Sequence, residues 1–305
     1  MLLSILANLA VIYNLIFLPP LVAFIPDASN FADSGRINFL SSAYSAGAPY
    51  RKNNTSLGMA ITAWSAIIID KESGTILWQK NSDVTRPVAS ITKLLTALVF
   101  LDYNPGWETK VIIQKSDYRL GGRSYLYLGE EILVYDLFYA SLVASSNEAT
   151  AALVRSTGLT AEEFVNKMNQ KAKSLGMSNS HWVEPTGLNS DNVSTAADLG
   201  LLIQAAFNQS IIMQATLQEE YQFDVLNVPR HYVLKNTDTL LKSYLNILAG
   251  KTGYLEEAGY CLVSLIKGNE GQEIYIIVLG SESETSRFQE VKSLAQWAFD
   301  NYVWE

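Results

Sequence analysis

The sequence predicts an α+β fold in which both ends of the chain feed one antiparallel sheet. Three observations carry this reading. Trp64 to Ile69 and Thr75 to Gln79 are β-rich apolar runs joined by the turn Asp70-Lys71-Glu72-Ser73-Gly74. From Ile91 to Phe207 helical periodicity dominates. After Gly259 the pattern is extended again, from Tyr260 to Ile266 and from Glu273 to Leu279 around Lys267-Gly268-Asn269-Glu270-Gly271, with a final helix behind it.

The helices follow in order. Ile91, Leu94, Leu95, Leu98 and Val99 recur at the spacing of one buried helix face. Asp136 is expected to cap a second helix through Ala144, and a third runs from about Glu148 to Gly158. Ala161 to Leu175 and Ala196 to Phe207 are further helical stretches. Ser283 opens the last helix, which places Phe288, Val291, Leu294, Ala295 and Ala298 on one face.

The chain has 305 residues, of which 49% are hydrophobic and only 17% charged, which excludes a disordered or coiled-coil protein. A net charge of −8 with no basic cluster longer than Arg51-Lys52 argues against nucleic acid as a partner. Cys261 is the one cysteine, so no intrachain disulfide exists. The two histidines, His181 and His231, are too few for the usual zinc sites and disfavour a Ser-His-Asp triad, so neither metal nor cofactor is expected. Catalysis on this chain would use Ser, Lys, Asp or Glu.

Residues 1–26 carry no charged side chain and are long enough to span a hydrocarbon core, although Pro19-Pro20 would kink a helix. We read them as an uncleaved membrane anchor in preference to a cleaved signal, which would place the rest of the chain outside the cytoplasm. Residues 27–57, rich in Ser, Asn, Ala and Gly, read as a linker, and 58–305 as the catalytic domain.

Three short motifs occur in order: Ser90-Ile91-Thr92-Lys93, Ser145-Ser146-Asn147 and Lys251-Thr252-Gly253. Residues i and i+3 share a helix face, so the Lys93 amine can stand beside the Ser90 hydroxyl. A lysine base must be kept neutral. Lowering its pKa by about three units takes roughly 4 kcal/mol, which burial and a second cation such as Lys251 can supply. Ser145 could then relay a proton and Asn147 could bind a substrate amide. Lys251 and Thr252 could hold a carboxylate, with Gly253 admitting a close backbone. Two decoys fail on physical grounds. Ser264 and Lys267 lie on a strand, where i and i+3 face opposite ways. Ser190-Asp191-Asn192 sits in a polar loop and reads as a cap for the helix at Ala196.

The ordered trio resembles the D-alanyl-D-alanine carboxypeptidase family of low-molecular-mass penicillin-binding proteins. Supporting stretches include Arg86 to Lys93, Asp136 to Ala149, Leu175-Gly176-Met177 through Gly187-Leu188, Ser194 to Leu199, and Gly250 to Val263. The resemblance implies a β-lactamase/transpeptidase-like fold, with a five-stranded antiparallel sheet flanked by helices and an inserted helical subdomain. It implies Ser90 as acylated nucleophile, Lys93 as base, and Ser145 and Asn147 as relay and substrate ligand. Lys251 and Thr252 would hold the terminal carboxylate of the D-Ala-D-Ala of peptidoglycan stem peptides, or of β-lactams as inhibitors. The amides of Ser90 and Tyr254 would form the oxyanion hole. Ser146 stands where carboxypeptidases more often have Gly, and Tyr254 where some members have His. The chain ends soon after its last helix, without the C-terminal β-domain of several relatives. The expected activity is D-Ala-D-Ala carboxypeptidase, with D,D-endopeptidase the alternative. A β-lactamase is less favoured, because Glu184 and Leu188 are separated by three residues rather than two. A non-catalytic wall-binding protein is the remaining alternative.

Overall fold

The computed structural model describes residues 47–52, 55–56, 58–119 and 121–305. The segment read as a membrane anchor lies outside them. Among the described residues no single helix is long and apolar enough to cross a membrane.

Five strands form the main sheet: β1 (Ser65–Asp70), β2 (Ile76–Lys80), β3 (Asn246–Leu255), β4 (Gly259–Lys267) and β5 (Glu273–Ser281). Their spatial order is β3-β4-β5-β1-β2, and every pairing is antiparallel. The two ends of the chain meet where β1 pairs with β5, from Asp70 opposite Ile274 to Ser65 opposite Leu279. Among the described residues, the α-helices between β2 and β3 are α1 (Thr92–Asp102), α2 (Val134–Val143), α3 (Asn147–Ser156), α4 (Ala161–Ser174), α5 (Ala196–Phe207) and α6 (Ser210–Leu217). The last helix, α7 (Glu284–Asn301), follows β5.

The sheet is buried on both faces, so its strands read as continuous apolar runs. Alternate residues still part into two cores. Ile67, Ile69, Val263, Leu265, Tyr275 and Ile277 join helices α1 to α6, whereas Ala66, Ile68, Leu262, Ile274 and Ile276 join α7. Phe288, Val291, Leu294, Ala295 and Ala298 of α7 all lie in the second core, as their spacing predicts. Cys261 is fully buried in the first, and burial pushes its thiol up to about 11.

Several local expectations need correction. Asp136 does not cap α2, which begins at Val134 straight after a short strand. Asp136 lies within the first turn, where its carboxylate accepts from Tyr221 Oη at 2.6 Å. The cap of α5 is Thr195, whose hydroxyl accepts from the Asp198 amide, and not Ser190-Asp191-Asn192. Helix α1 is buried almost all round, Lys93 included, and is not a two-faced helix. Tyr50 and Arg51, within the stretch read as linker, pair with Val303 and Tyr302. The folded unit therefore takes in residues before 58.

The carboxylate of Glu290 on α7 ties the entry to β1. It accepts from Thr62 Oγ1 at 2.7 Å and the Ala63 amide at 3.1 Å, and also from the Thr62 amide and Ser281 Oγ. Glu290→Ala strands the buried Ala63 amide and Ser281 hydroxyl and should cost about 2 kcal/mol in urea unfolding. A loss below about 0.5 kcal/mol, the level of an ordinary surface change, would contradict this account.

Candidate active site

Ser90 stands in a single 3-10 turn, Ala89–Ile91, that runs directly into α1. Ala89 takes a left-handed backbone (φ +48°), a costly conformation for a residue with a Cβ. Two glycines press on this turn. A Cβ on Gly187 would lie 2.1 Å from the Ala89 carbonyl oxygen, and one on Gly253 would lie 3.2 Å from the Ser90 nitrogen. Strand β3 and the 183–192 loop therefore wall the serine from two sides.

One turn along, Lys93 is fully buried. Its Nζ lies 3.0 Å from Ser90 Oγ, 2.8 Å from Asn147 Oδ1 and 2.6 Å from the Thr186 carbonyl oxygen. A neutral amine has two N–H groups and one lone pair. With the two carbonyl oxygens accepting the N–H groups, the lone pair is left facing the Ser90 hydroxyl. Burial brings the Lys93 pKa down to about 7, against the opposing pull of Glu184 and Glu148.

The second motif sits at the α2–α3 junction. Ser145 is left-handed (φ +58°), Ser146 caps α3 by accepting from the Ala149 amide, and Asn147 is the first residue of α3. Asn147 presents its oxygen to Lys93, and its Nδ2 donates to the Gly121 carbonyl oxygen at 3.5 Å, leaving its second N–H for another acceptor. Ser145 does not meet Lys93 in the way a direct relay requires; its hydroxyl accepts from Lys251 Nζ at 2.9 Å.

Lys251, Thr252 and Gly253 lie on β3, an edge strand of the sheet, with Lys251 and Thr252 both buried. Lys251 is held well below the ordinary lysine range, first by burial, then by the charges of Lys93 and Arg287, with Asp238 opposing. Thr252 Oγ1 is 2.6 Å from Thr237 Oγ1. Tyr254 is half exposed and stacks on Tyr260, its ring centroid 4.3 Å away. The decoy Ser264 is buried on β4 and its hydroxyl has no protein partner. The histidines are elsewhere: His231 pairs with Asp224 on an exposed hairpin, and the His181 backbone bridges to Val193.

All three motifs thus meet at one place, through Lys93 and Asn147, Ser145 and Lys251, and Gly253 against the Ser90 turn. A family model described as D-alanyl-D-alanine carboxypeptidase matches residues 51–283. The chain belongs to this family. Its relatives include a D-alanyl-D-alanine endopeptidase of Pseudomonas aeruginosa, 32% identical over 82% of this chain and 81% of the relative. Another is the D-alanyl-D-alanine carboxypeptidase DacF of Bacillus subtilis, 32% identical over 80% of this chain and 64% of the relative. Among solved structures, a Streptomyces DD-transpeptidase superposes with a TM-score of 0.76 at 29% identity, over 80% of this chain and all of that one. The chain is a serine peptidase of the D-Ala-D-Ala class, with the five-stranded sheet and helices of the penicillin-binding fold.

Residues that sequence reasoning passed over complete this peptidase site. The Thr186 carbonyl fixes Lys93, but a backbone acceptor leaves no residue-type signal. Thr237 meets Thr252, and Arg287 of α7, buried, donates from Nη1 to the Gly253 carbonyl oxygen at 3.1 Å. Asp238 is buried beside Gly250, and burial pushes its carboxyl up to about 6.

The depressed Lys93 pKa has a signed consequence for stability. Between about 7 and the ordinary lysine value, the unfolded chain holds a proton that folded Lys93 lacks, so stability rises with pH through this window. Above about pH 9 the buried Cys261 thiol acts in the opposite sense. From pH 7 to 9, the unfolding free energy of the wild type relative to Lys93→Met should climb by up to about 1.4 kcal/mol per pH unit. Parallel curves for the two proteins in denaturant titrations would show that Lys93 is charged in the fold.

Proposed function

We propose that the D-Ala-D-Ala peptidase reaction runs through Ser90, with neutral Lys93 as its base. The observation that carries this is Lys93 Nζ lying 3.0 Å from Ser90 Oγ with both its other contacts carbonyl oxygens, in an amine brought down to about 7. Lys93 Nζ takes the Ser90 proton as Oγ attacks the carbonyl of the penultimate D-Ala. The resulting oxyanion meets the Ser90 and Tyr254 amides, and the position of Gly253 against the Ser90 turn supports that pairing. The C–N bond then breaks, and the departing D-Ala amine takes a proton from Ser145, resupplied by Lys251 at 2.9 Å. Lys93 passes the proton it took from Ser90 on to Lys251; neutral again, it deprotonates the water that attacks the ester and returns that proton to Ser90 Oγ as the C–O bond breaks.

The terminal carboxylate of the stem peptide binds at Lys251 and Thr252, and Asn147 Nδ2 donates to a substrate amide carbonyl. The carboxylate also restores the charge of Lys251 by giving it a counter-ion. A charged Lys251 in turn favours neutral Lys93, so binding primes the base.

β-Lactams acylate the same serine in this proposal. A Listeria monocytogenes penicillin-binding protein, 29% identical with a TM-score of 0.70, was solved in a cefotaxime-bound form. Residues 1–26 tether the enzyme to the outer face of the cell membrane, a reading supported by their charge-free apolar run. Endopeptidase action is a second reading, favoured by the names of the P. aeruginosa relative and of an Escherichia coli relative 34% identical over 78% of this chain and 77% of the relative.

Cells expressing the chain should yield a band labelled by fluorescent penicillin in the membrane fraction, and Ser90→Ala should abolish the label. Label persisting in Ser90→Ala would overturn the assignment. The purified enzyme should release D-Ala from a pentapeptide faster than it opens a cross-linked dimer. The reverse preference would establish the endopeptidase.

A further inference from the structure

The carboxylate of Glu184 collects more hydrogen bonds than any other carboxylate around the site, although the reaction above gives it no task. Oε2 accepts from the Thr186 amide at 2.7 Å and from Thr186 Oγ1 at 2.6 Å. Oε1 accepts from the amides of Gly187, Leu188 at 2.9 Å and Asn189 at 3.4 Å, and from Asn192 Nδ2 at 3.1 Å. Asn192 closes the loop from the other side. Its Oδ1 accepts from the Val183 amide at 2.8 Å, and its Nδ2 also donates to Thr92 Oγ1 on α1 at 3.2 Å. Thr96 of the same helix donates to the Pro185 carbonyl oxygen at 2.7 Å.

Gathering the amides of 186 to 189 onto one carboxylate turns the opposite edge of the loop, the Thr186 carbonyl, toward α1. That carbonyl oxygen is the one 2.6 Å from Lys93 Nζ. The same turn places Gly187 (φ +84°) against the Ala89 carbonyl, where no side chain fits. With both its oxygens engaged by the loop, Glu184 is not free to hold a hydrolytic water as a class A β-lactamase glutamate does.

We propose that Glu184 is a positioning residue for the reaction: it aims the Thr186 carbonyl at Lys93 and thereby directs the lone pair of the base at Ser90. The inference rests on the reading of Lys93 as the base. Its charge has a second effect. The ionisable groups that bear on Lys93 are Glu184 from the loop, Glu148 from α3 and Lys251 from β3. Glu184 offsets part of the burial that lowers Lys93, so its charge sets where the base becomes available.

The test is the pH dependence of penicillin acylation in Glu184→Gln and Glu184→Asp, followed by intact-protein mass spectrometry. In Glu184→Gln the side-chain amide can no longer accept every loop N–H, and acylation should slow at least about tenfold. Loss of the charge should move the acidic limb of the profile to lower pH by about half a unit or more. Glu184→Asp keeps the charge on a shorter arm, so it should slow acylation while the limb stays in place. A wild-type rate and limb in Glu184→Gln would overturn the proposal, as would equal slowing in both variants with no shift of the limb. Should Glu184→Gln fail to fold by thermal unfolding, Thr186→Val decides. It removes one donor to the carboxylate, and slower acylation with an unmoved limb supports the proposal, whereas a wild-type rate overturns it. Failure of the wild type itself to acylate would defeat the parent reading instead.

Discussion

The site depends on a lysine amine placed where an ammonium is costly. Lys93 lies on a helix buried almost all round, and bringing its pKa down to about 7 corresponds to roughly 5 kcal/mol of differential stabilisation of the neutral form. That penalty is offset by the large apolar core into which α1 packs. The neutral amine is in turn useful only if its lone pair points one way. Asn147 Oδ1 and the Thr186 carbonyl oxygen supply the two acceptors that orient it. Much of the surrounding architecture maintains this arrangement: the cap at Ser146 that starts α3 at Asn147, the carboxylate-bound loop that turns Thr186, and the strained Ala89 that lifts Ser90 to the head of the helix.

The second lysine makes the arrangement responsive. Lys251 is lowered first by burial and then by the charges of Lys93 and Arg287. In the proposed reaction an anionic substrate end relieves Lys251 and leaves Lys93 as the group to give up its proton. The acidic balance of the chain as a whole has no part in this. In that proposal a few buried basic side chains recognise the carboxylate, and net charge does not.

The fold was legible where one periodicity acted alone. The hairpin of β1 and β2, the paired strands β4 and β5 and the apolar stripe of α7 follow from the spacing of their residues. The site was legible because Ser90, Lys93, Ser145, Asn147 and Lys251 are polar residues in short, ordered groups, and the physics of helix and strand excluded Ser264 as a competitor. What escaped has a common cause. Thr186 acts through its backbone, Arg287 reaches the site from the far end of the chain, and Glu184 acts by folding its own loop. Asp136 resembled a cap until Tyr221, 85 residues on, claimed its carboxylate. The pairing of Tyr50 with Val303 depends on a partner at the other terminus, which local composition cannot announce.

The central claim is that Lys93 is a neutral base at working pH, and direct titration of its side chain tests it. In protein carrying 13C-labelled lysine, the Lys93 Cε resonance can be assigned by its loss in Lys93→Met and followed from pH 5 to 11. A midpoint at about 7 is expected. A midpoint near the ordinary lysine value of about 10.4 would contradict the account and would require another base for Ser90.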